Sequence, residues 1–411
     1  MKDYVAKRSR QSVSKTDILA INNMAKEDRR KGNHVINAST GVFLNEDKRL
    51  DGVAMINESM KEYIPEHLGY PSVYGNPGYL EDILSFVFGD KEAKLNDLFV
   101  PFIGATMGGT GAISIAFNLF LEDGHSVLLP DIMWTNYLLI AKKARLVPVT
   151  YLMFDEEGKF NLSSVRDKIE EAGKKNGKVL LVINDPCQNP TGYCLEEEEY
   201  HALFDLLEEE GEKYELSVLF DIAYLAFYSV PGKHCALIDC LIEKRHSFLP
   251  LVAFSCSKVF GLYGLRVGAL IALAPDTASA DEIRRAFGAQ ARGTYSVPNG
   301  AVQASIHEVL KNPEKRARLN REIVLNTEEL RKRSKVLLEE LEEKQIPHYP
   351  YKSGFFVTLK VEDAPHLADE LKKEHVYVVP MDEHSLRLAI SGMTEAEIHE
   401  IMDVLVRHIG K

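Results

Sequence analysis

One stretch of the sequence places a lysine and an arginine directly after an apolar run that predicts a buried strand. The run LPLVAFS at 249–255 continues as CSKVFGLYGLRVG, so Lys258 follows the strand and Arg266 comes eight residues later. A lysine held away from water has a lowered pKa, and its neutral amine can form a Schiff base with an aldehyde. The arginine supplies a fixed cation that suits a phosphate.

A glycine-rich stretch follows a second predicted strand. The segment GATMGGTG at 104–111 comes after DLFVPFI (97–103) and opens a predicted helix. Successive glycines let backbone N–H groups approach an anion, and the helix N-terminus adds the positive end of its dipole. The segment predicts a phosphate cradle, although close packing of the strand against the helix would also explain its glycines.

Two more polar residues lie at or just beyond the ends of predicted strands. Asp221 closes the run LSVLFD, and Asn189 begins the sequence NPTG shortly after the run KVLLVIND (178–185). An acid at the end of an apolar strand is partly buried, and its charge then needs a partner. The alternatives are a helix N-cap for the aspartate and a plain turn for NPTG.

These groups are expected to meet, because ligands of open parallel sheets bind at the carboxyl ends of the strands. A phosphorylated aldehyde with a basic ring nitrogen would satisfy the cradle, the lysine, the aspartate and the arginine together. Pyridoxal phosphate is such a molecule, and its usual protein partners are a Schiff-base lysine and an acid at the pyridine nitrogen. The sequence therefore predicts a pyridoxal phosphate site at Lys258, and no metal site.

The elements that must position these residues alternate between apolar runs and helical patterns from about 100 to 270. Such alternation indicates an α/β fold with a mostly parallel sheet covered on both faces. After about 305, a long amphipathic helix (roughly 313–345), short strands and a closing helix indicate a second, α+β domain. The predicted strands of the sheet are 97–103, 126–130, 145–152, 178–185, 216–221 and 249–255.

Composition argues against several classes of function. The chain has 411 residues and a net charge of −12, which leaves no excess of cations for nucleic acid. No apolar stretch approaches the roughly 18 residues that a membrane span needs, and the N-terminus lacks the apolar core of a secretory signal. Five cysteines without zinc-type spacing predict free thiols and a cytoplasmic protein.

Motifs along most of the chain, from about 35 to 405, resemble those of pyridoxal-phosphate-dependent class I/II aminotransferases of fold type I, most closely the aspartate/aromatic branch. The resemblance implies a large cofactor-binding domain at 51–305, whose mostly parallel seven-stranded sheet lies between helices. It also implies a small α+β domain at 306–411, with the N-terminal segment 1–50 packed against it. In chain order the motifs are GGTGA, PDIMWTNY, NPTG, DIAY, SxSKxxGLYGLRVG, ARGTYSVP and LRLAISGMT.

The resemblance implies cofactor contacts residue by residue. Lys258 would carry the cofactor and act as general base, and Asp221 would keep the pyridine nitrogen protonated. Tyr224 and Asn189 would hydrogen-bond the ring oxygen, and Trp134 would stack on the ring. The positions that match phosphate contacts are Gly108, Gly109, Thr110, Ser255 and Arg266.

The resemblance also implies substrate contacts. Arg387 would bind the α-carboxylate through both arms of its guanidinium, beside the backbone of Gly41. Trp134 and Asn189 would border the substrate as well as the cofactor. Arg292 matches an arginine that reaches from the neighbouring subunit to the distal carboxylate of aspartate or glutamate, or swings aside for aromatic substrates.

A site shared between subunits implies a homodimer. Tyr70 resembles the tyrosine donated across the dimer to the phosphate, and Tyr74 is an alternative for the same role. Three residues depart from the pattern. Gly108 stands where a hydroxyl residue is usual, Tyr137 lies near the usual place of a histidine that supports the pyridine-side aspartate, and Gln188 replaces a common histidine before NPTG.

The activity implied is a ping-pong transamination, in which an L-amino acid gives its nitrogen to the cofactor and a 2-oxo acid such as 2-oxoglutarate takes it away. The same fold also hosts C–S lyases and decarboxylases. A regulatory domain that binds the cofactor without turnover is a further alternative, although no basic DNA-binding segment is visible in the sequence.

Overall fold

The computed structural model describes residues 18–50, 53–228 and 235–409. The parts of the predicted domains at 1–17, 51–52, 229–234 and 410–411 lie outside the described residues. Over the described ranges the strands are β1 (Ile36–Asn37), β2 (Val100–Thr106), β3 (Ser126–Pro130), β4 (Val147–Tyr151), β5 (Lys178–Asn184), β6 (Glu215–Asp221), β7 (Leu249–Ser255), β8 (Gly268–Ala274), β9 (Phe356–Lys360), β10 (Val376–Tyr377), β11 (Val379–Pro380) and β12 (Ser385–Ala389).

The helices of the described residues are α1 (Ile18–Arg30), α2 (Ala54–Tyr63), α3 (Pro77–Phe88), α4 (Glu92–Leu98), α5 (Gly108–Phe120), α6 (Asn136–Lys143), α7 (Leu162–Asn176), α8 (Glu197–Gly211), α9 (Leu225–Tyr228), α10 (Ala236–Leu241), α11 (Cys256–Val259), α12 (Thr277–Thr294), α13 (Gly300–Leu310), α14 (Pro313–Glu343), α15 (Ala364–Lys373) and α16 (Glu395–His408). Short 3₁₀ turns lie at Ile64–Glu66, Gly89–Lys91 and Ile390–Gly392. Searched over the same ranges, no helix is both long and apolar enough to cross a membrane.

Seven strands form one sheet in the order β2-β8-β7-β6-β5-β3-β4. Strand β8 runs antiparallel to β2 and β7, and the other neighbouring strands pair in parallel, so the prediction of an α/β fold with a mostly parallel seven-stranded sheet is confirmed. The first predicted strand begins later than expected, because Asp97 and Leu98 belong to the end of α4. Strand β8, GALIALA, is absent from the predicted strands because a short run of alanine and leucine suits a buried helix equally well.

Both faces of the sheet are buried at its central strands β8, β7, β6, β5 and β3, as near-continuous apolar strands require. Along β5, Leu181 and Ile183 join one apolar cluster, which includes residues of α7 and α8. Leu180 and Val182 join another, which includes residues of α5 and α6. The alternation of side chains along a strand directs neighbours to opposite faces. Helices therefore cover the sheet on both sides, and the carboxyl ends of β5, β6 and β7 lie side by side at one edge.

The C-terminal part of the chain forms a further apolar cluster. Strands β11, β12 and β9 make a small antiparallel sheet, and β1 pairs in parallel with β10. Helix α14 spans 31 residues, and the side chain of Asn312 caps its first turn. Ile36 and Ala38 from the N-terminal segment share this cluster with Leu337 and Leu388. The division into domains at 50 and 305 stays a prediction.

Candidate active site

Lys258 lies in the one-turn helix α11, immediately after β7. Ser255 caps this turn, because its hydroxyl accepts a hydrogen bond from the N–H of Ser257 at 3.3 Å. The lysine amine donates to the carbonyl oxygen of Gly41 at 2.6 Å and lies 4.8 Å from the centre of the Tyr263 ring. The N-terminal segment and the end of β7 therefore meet at the lysine nitrogen.

The surroundings of Lys258 disfavour its charged form. Burial lowers the pKa of the amine to about 7, and the nearby cations Arg387 and Arg266 lower it as well, against the opposing effect of Asp221. A lysine with its usual pKa is almost fully protonated at neutral pH. The amine of Lys258 is neutral in a large fraction of molecules, so it is available as a nucleophile or a base.

Asp221 ends β6 with a hydrogen-bond donor on each carboxylate oxygen. The phenol of Tyr137 donates to Oδ2 at 2.5 Å, and the N–H of Ala223 donates to Oδ1 at 3.2 Å. Burial raises the pKa of the acid to about 6, while both donors and Lys258 oppose the rise. Asp221 is consequently a buried acid that is mostly ionised at neutral pH and can hold a cationic group.

The loop after β5 is tied to the same strand ends. The N–H of Asn189 donates to Oδ1 of Asn184 at 2.9 Å, and the Asn184 amide donates to the backbone oxygen of Asp221 at 2.9 Å. These two bonds fix the start of the NPTG turn against the end of β6. Asn189 and Asp221 are therefore held at one edge of the sheet, as the strand order predicts.

Gln188 stabilises this turn from the inside. Its side-chain amide donates to the carbonyl oxygen of Ile132 at 2.8 Å. Its side-chain oxygen accepts from the N–H of Thr191 at 2.9 Å and from the Thr191 hydroxyl at 2.7 Å. The glutamine that departs from the family pattern thus maintains the shape of the loop that carries Asn189.

Arg387, in β12, is a buried cation. The residue is 1% exposed. Nη1 donates to Oδ1 of Asn189 at 3.2 Å, Nη2 donates to the backbone oxygen of Ser39 at 2.6 Å, and Nε finds no hydrogen bond within the described residues. The guanidinium carbon also lies 4.3 Å from the centre of the Phe356 ring.

No carboxylate within 18–50, 53–228 and 235–409 forms an ion pair with Arg387. Burial of the cation lowers its pKa to about 10. Such burial without a counter-charge costs free energy. A carboxylate ligand would supply the missing charge and would match the planar fork of the guanidinium.

The glycine-rich turn at the start of α5 faces a second arginine. Gly108 has φ +71°, and a Cβ built on it would lie 2.5 Å from Nη2 of Arg266. Nη1 of this arginine donates to the Ser257 hydroxyl at 2.9 Å and to the Tyr263 carbonyl oxygen at 3.0 Å. The glycine therefore leaves open the space beside a positioned cation.

Gly109, Thr110 and Ser255 border the same place. A Cβ at Gly109 would lie 3.2 Å from that of Ser255, and Thr110 occupies the first turn of α5. A helix N-terminus, two glycines and Arg266 together make a site for an anion. With the buried lysine, whose pKa is lowered, and the buried acid, these residues fit the phosphate, the aldehyde and the ring nitrogen of pyridoxal phosphate.

Two aromatic residues border this edge of the sheet. Trp134 packs edge-on against Tyr137, with ring centres 5.4 Å apart and ring planes at 81°. Tyr224 is buried in the turn after β6, and its ring centre lies 5.6 Å from the amine of Lys258. Burial raises the pKa of the Tyr224 phenol, so the group stays protonated at neutral pH.

Three of the predicted residues lie in a different place within the single chain. Tyr70, which is 95% exposed, Tyr74 and Arg292 line an open groove of 780 Å³ whose lining includes neither Lys258 nor Arg387. Arg292 donates to the hydroxyl of Ser296 at 2.9 Å, at the end of α12. Their predicted roles require a second subunit, and those roles stay predictions.

Sequence reasoning missed two contributors to the site. The phenol oxygen of Tyr263 accepts from the N–H of Phe43 at 2.9 Å, next to the lysine, and Ser39 offers its carbonyl oxygen to Arg387. Tyr263 lies within the motif GLYGLRVG, so the motif could have identified it as a site residue. Ser39 acts through its backbone, which its residue type does not reveal.

The described residues contain no cluster of side chains that could bind a metal ion. In the part of the chain that the structure describes, no three histidine, cysteine, aspartate or glutamate side chains lie together as a metal site would need. All five cysteines are buried and free.

In comparisons with known proteins, the chain is similar to aminotransferases. The family described as aminotransferase class I and II matches residues 33–405. A tyrosine aminotransferase of Rhizobium meliloti is 29% identical over 93% of this chain and 95% of its own length. An aspartate aminotransferase of Pseudomonas aeruginosa is 28% identical over 79% of this chain and 80% of its own. The crystal structure of an aminotransferase from Anaerococcus prevotii covers both chains fully, with a TM-score of 0.90 at 25% identity.

Proposed function

The chain belongs to the class I and II aminotransferases, and on that premise we propose that it transfers the amino group of an L-amino acid to a 2-oxo acid by a ping-pong mechanism. The proposed donors are aspartate, glutamate or an aromatic amino acid, and the proposed acceptor is a 2-oxo acid such as 2-oxoglutarate. Relatives named for tyrosine and for aspartate support this range of substrates.

The observation that carries the proposal is the buried guanidinium of Arg387, with which no carboxylate of the described residues forms an ion pair. Its Nη1 is fixed by Asn189 and its Nη2 by the carbonyl oxygen of Ser39, so the planar group has one orientation. A substrate α-carboxylate would neutralise the buried charge and accept two parallel hydrogen bonds. Every amino acid and every 2-oxo acid carries that carboxylate, so one arginine serves both halves of the reaction.

We also propose that the chain binds pyridoxal phosphate, the cofactor of this family. When bound, pyridoxal phosphate supplies an electron sink for the negative charge that develops at the substrate α-carbon. The residues proposed to hold its phosphate are Gly108, Gly109, Thr110, Ser255 and Arg266, with Tyr70 from a neighbouring subunit.

Lys258 is the residue that we propose moves the proton. With a pKa of about 7, its amine is partly neutral and can take the proton from the substrate α-carbon. The protonated amine can then give the proton up again later in the reaction. Asp221, whose pKa is about 6, is mostly ionised at neutral pH and would keep the pyridine nitrogen of the cofactor protonated. Tyr224 and Asn189 would donate hydrogen bonds to the ring oxygen, and Trp134 would cover one face of the ring.

We also propose that the protein is a homodimer, in which Arg292 and Tyr70 of each subunit contribute to the active site of the other. Both side chains are exposed and line one groove in the single chain, whose lining does not include Lys258. A two-fold symmetric dimer would present the groove of each subunit to the site of its partner, so the same arrangement would occur twice. Arg292 would then meet the distal carboxylate of aspartate or glutamate. The free thiols support a reducing compartment, which we propose to be the cytoplasm.

The direct test follows the nitrogen atom. Purified protein with added pyridoxal phosphate is given ¹⁵N-labelled aspartate, glutamate, tyrosine or phenylalanine, with an unlabelled 2-oxo acid as acceptor (oxaloacetate when glutamate is the donor, 2-oxoglutarate otherwise). We expect the label in the amino acid formed from the acceptor, and none with the Lys258→Ala protein. Carbon dioxide released without labelled product would contradict the proposal and indicate a decarboxylase, and ammonia released with pyruvate from a thioether amino acid such as cystathionine would indicate a C–S lyase.

A further inference from the structure

The segment at 39–46 reaches the candidate active site through its main chain. The carbonyl oxygen of Ser39 accepts a hydrogen bond from Nη2 of Arg387 at 2.6 Å. The carbonyl oxygen of Gly41 accepts one from the amine of Lys258 at 2.6 Å. Two side chains of the proposed mechanism therefore hydrogen-bond to this segment, so whatever fixes the segment also helps to fix them.

Arg333, in the middle of α14, contacts the far end of the 39–46 segment. The side chain is fully buried, and its Nη1 donates to the carbonyl oxygen of Leu44 at 2.9 Å. Nη2 donates to Oε1 of Glu46 at 2.7 Å, and the guanidinium carbon lies 5.3 Å from the centre of the Phe43 ring. One guanidinium thus contacts three residues of the segment.

The same guanidinium is also bound by the C-terminal part of the chain. Nη1 donates to the carbonyl oxygen of Ser391 at 3.1 Å, and Nε donates to Oε1 of Glu329, one turn earlier in α14, at 3.2 Å. The Ser391 oxygen accepts from the N–H of Leu44 as well, at 2.9 Å. Each nitrogen of the Arg333 guanidinium therefore has an acceptor, which holds the planar group in one orientation.

We propose that Arg333 is a positioning residue that fixes the 39–46 segment and thereby keeps Arg387 oriented for the substrate. The proposal rests on the proposed function, in which Arg387 binds the α-carboxylate. None of the hydrogen bonds of Arg333 within the described residues goes to Arg387 or Lys258, so it acts through the segment. A preorganised guanidinium loses less freedom when a carboxylate binds, which strengthens binding.

The chain offers a matched pair of ion pairs along α14. Glu46 pairs with Arg333 at 2.7 Å, and Glu58 pairs with Arg318 at 2.8 Å. The side chains of the two glutamates are similarly exposed, at 56% and 53%. Glu46→Ala and Glu58→Ala therefore each remove a carboxylate that pairs with an arginine of α14, and only the first belongs to the 39–46 segment.

The experiment measures kcat and KM for the amino donor, and the dissociation constant of pyridoxal phosphate, in wild type and Arg333→Met. Methionine keeps an unbranched apolar side chain and removes the guanidinium. We expect KM to rise by about tenfold or more with kcat within about threefold, because a loosened Arg387 binds the carboxylate less tightly. Cofactor affinity should stay within about threefold, since other parts of the chain form the proposed phosphate cradle.

The glutamate pair tests the same contact from the side of the segment. Glu46→Ala should raise KM by about threefold or more, because Arg333 then loses one of its bonds to the segment. Glu58→Ala should keep both kinetic constants and the cofactor affinity within about twofold of wild type. A loss of KM, kcat and cofactor affinity together in Arg333→Met would indicate a general structural defect and would overturn the proposal.

A double-mutant cycle with Arg387→Lys tests whether Arg333 acts through Arg387. If it does, Arg333→Met lowers kcat/KM in the wild-type background and adds little in the Arg387→Lys background. Equal losses in both backgrounds, or a loss confined to kcat, would overturn the proposal. If wild type itself neither binds the cofactor nor transfers nitrogen, the proposed function fails instead.

Should Arg333→Met not fold, Glu46→Ala decides the matter, because Glu329 still pairs with the buried arginine in that variant. A KM at least about threefold above that of Glu58→Ala would support the role of Arg333, and a smaller difference would overturn it.

Discussion

Nη1 of Arg387 lies 3.2 Å from Oδ1 of Asn189, which joins the small antiparallel sheet to the loop at the carboxyl end of the large one. The two residues are 198 positions apart in the chain. The asparagine oxygen accepts from the arginine, so its amide N–H₂ is left to donate to a ligand. One contact therefore fixes both the group proposed to bind the substrate carboxylate and a group proposed to bind the cofactor.

Arg387→Lys is predicted to abolish most turnover while the cofactor remains bound. A lysine amine cannot make two parallel hydrogen bonds to a carboxylate, so kcat/KM should fall by at least about a hundredfold. Steady-state kinetics measure kcat/KM, and the absorption spectrum shows whether the cofactor stays bound. Arg318→Lys, at an exposed ion pair with Glu58, is the control. Unchanged kcat/KM in Arg387→Lys would remove Arg387 from the substrate site.

Gly108→Ala is predicted to weaken cofactor binding. The new Cβ would lie 2.5 Å from Nη2 of Arg266, so the arginine must move away from the proposed phosphate cradle. We expect a loss of about tenfold or more in affinity for pyridoxal phosphate, measured by equilibrium titration. Gly124→Ala separates this effect from backbone strain, because Gly124 has φ +84° and open space where its Cβ would lie.

Gly124→Ala should cost about 1 kcal/mol of unfolding free energy and leave cofactor affinity unchanged. Equal affinities for pyridoxal phosphate in the two variants would show that the space beside Arg266 does not hold the phosphate.

The stability of the cofactor-free protein should depend on pH through Lys258. Its pKa is about 7 when folded, against an ordinary value of 10.5. Between these values the unfolded chain binds a proton that the folded chain lacks, so this group makes the unfolding free energy rise with pH. Below pH 7 both states are protonated, and the cost of burying the charge is fully present.

Lys258→Met removes this dependence. Relative to that variant, the wild-type protein should gain about 2 kcal/mol of unfolding free energy between pH 7 and pH 9. Denaturant titrations of the two cofactor-free proteins at each pH measure the difference. A difference that stays constant with pH would mean that the lysine keeps its ordinary pKa.

Arg292→Leu is predicted to change substrate preference rather than the chemistry. If Arg292 meets the distal carboxylate across a dimer, kcat/KM for aspartate and glutamate should fall by about a hundredfold. Values for tyrosine and phenylalanine should stay within about threefold, since neither carries that carboxylate. Arg285→Leu, which changes an arginine in the same groove, is the control. Equal losses for all donors would contradict the assignment.

The sequence predicted the fold through features that are local in the chain. Apolar runs located six of the seven strands of the large sheet, and the strand β8 was missed because its alanines and leucines carry no strand-specific pattern. The 31-residue helix α14 was predicted within two residues, because a long amphipathic pattern is a strong signal.

The site was predictable in part for the same reason. Lys258, Asp221 and Asn189 lie at or close to the carboxyl ends of neighbouring parallel strands, so the fold alone brings them together. The phenol of Tyr137 on Asp221 and the carbonyl oxygen of Ser39 on Arg387 depend on packing between distant segments. The family resemblance placed Tyr137 near the aspartate, whereas no local pattern encodes the contact of Ser39. The roles predicted for Tyr70 and Arg292 depend on a proposed dimer, which a single chain does not contain.

The most direct test of the central claim is the absorption spectrum of the purified protein with pyridoxal phosphate, recorded as single amino acids are added without an acceptor. We predict a visible band from the cofactor on Lys258, which one of aspartate, glutamate, tyrosine or phenylalanine converts to the spectrum of pyridoxamine phosphate. Addition of 2-oxoglutarate should restore the first band. A protein without the band, or a Lys258→Ala variant that keeps both the band and the conversion, would contradict the account.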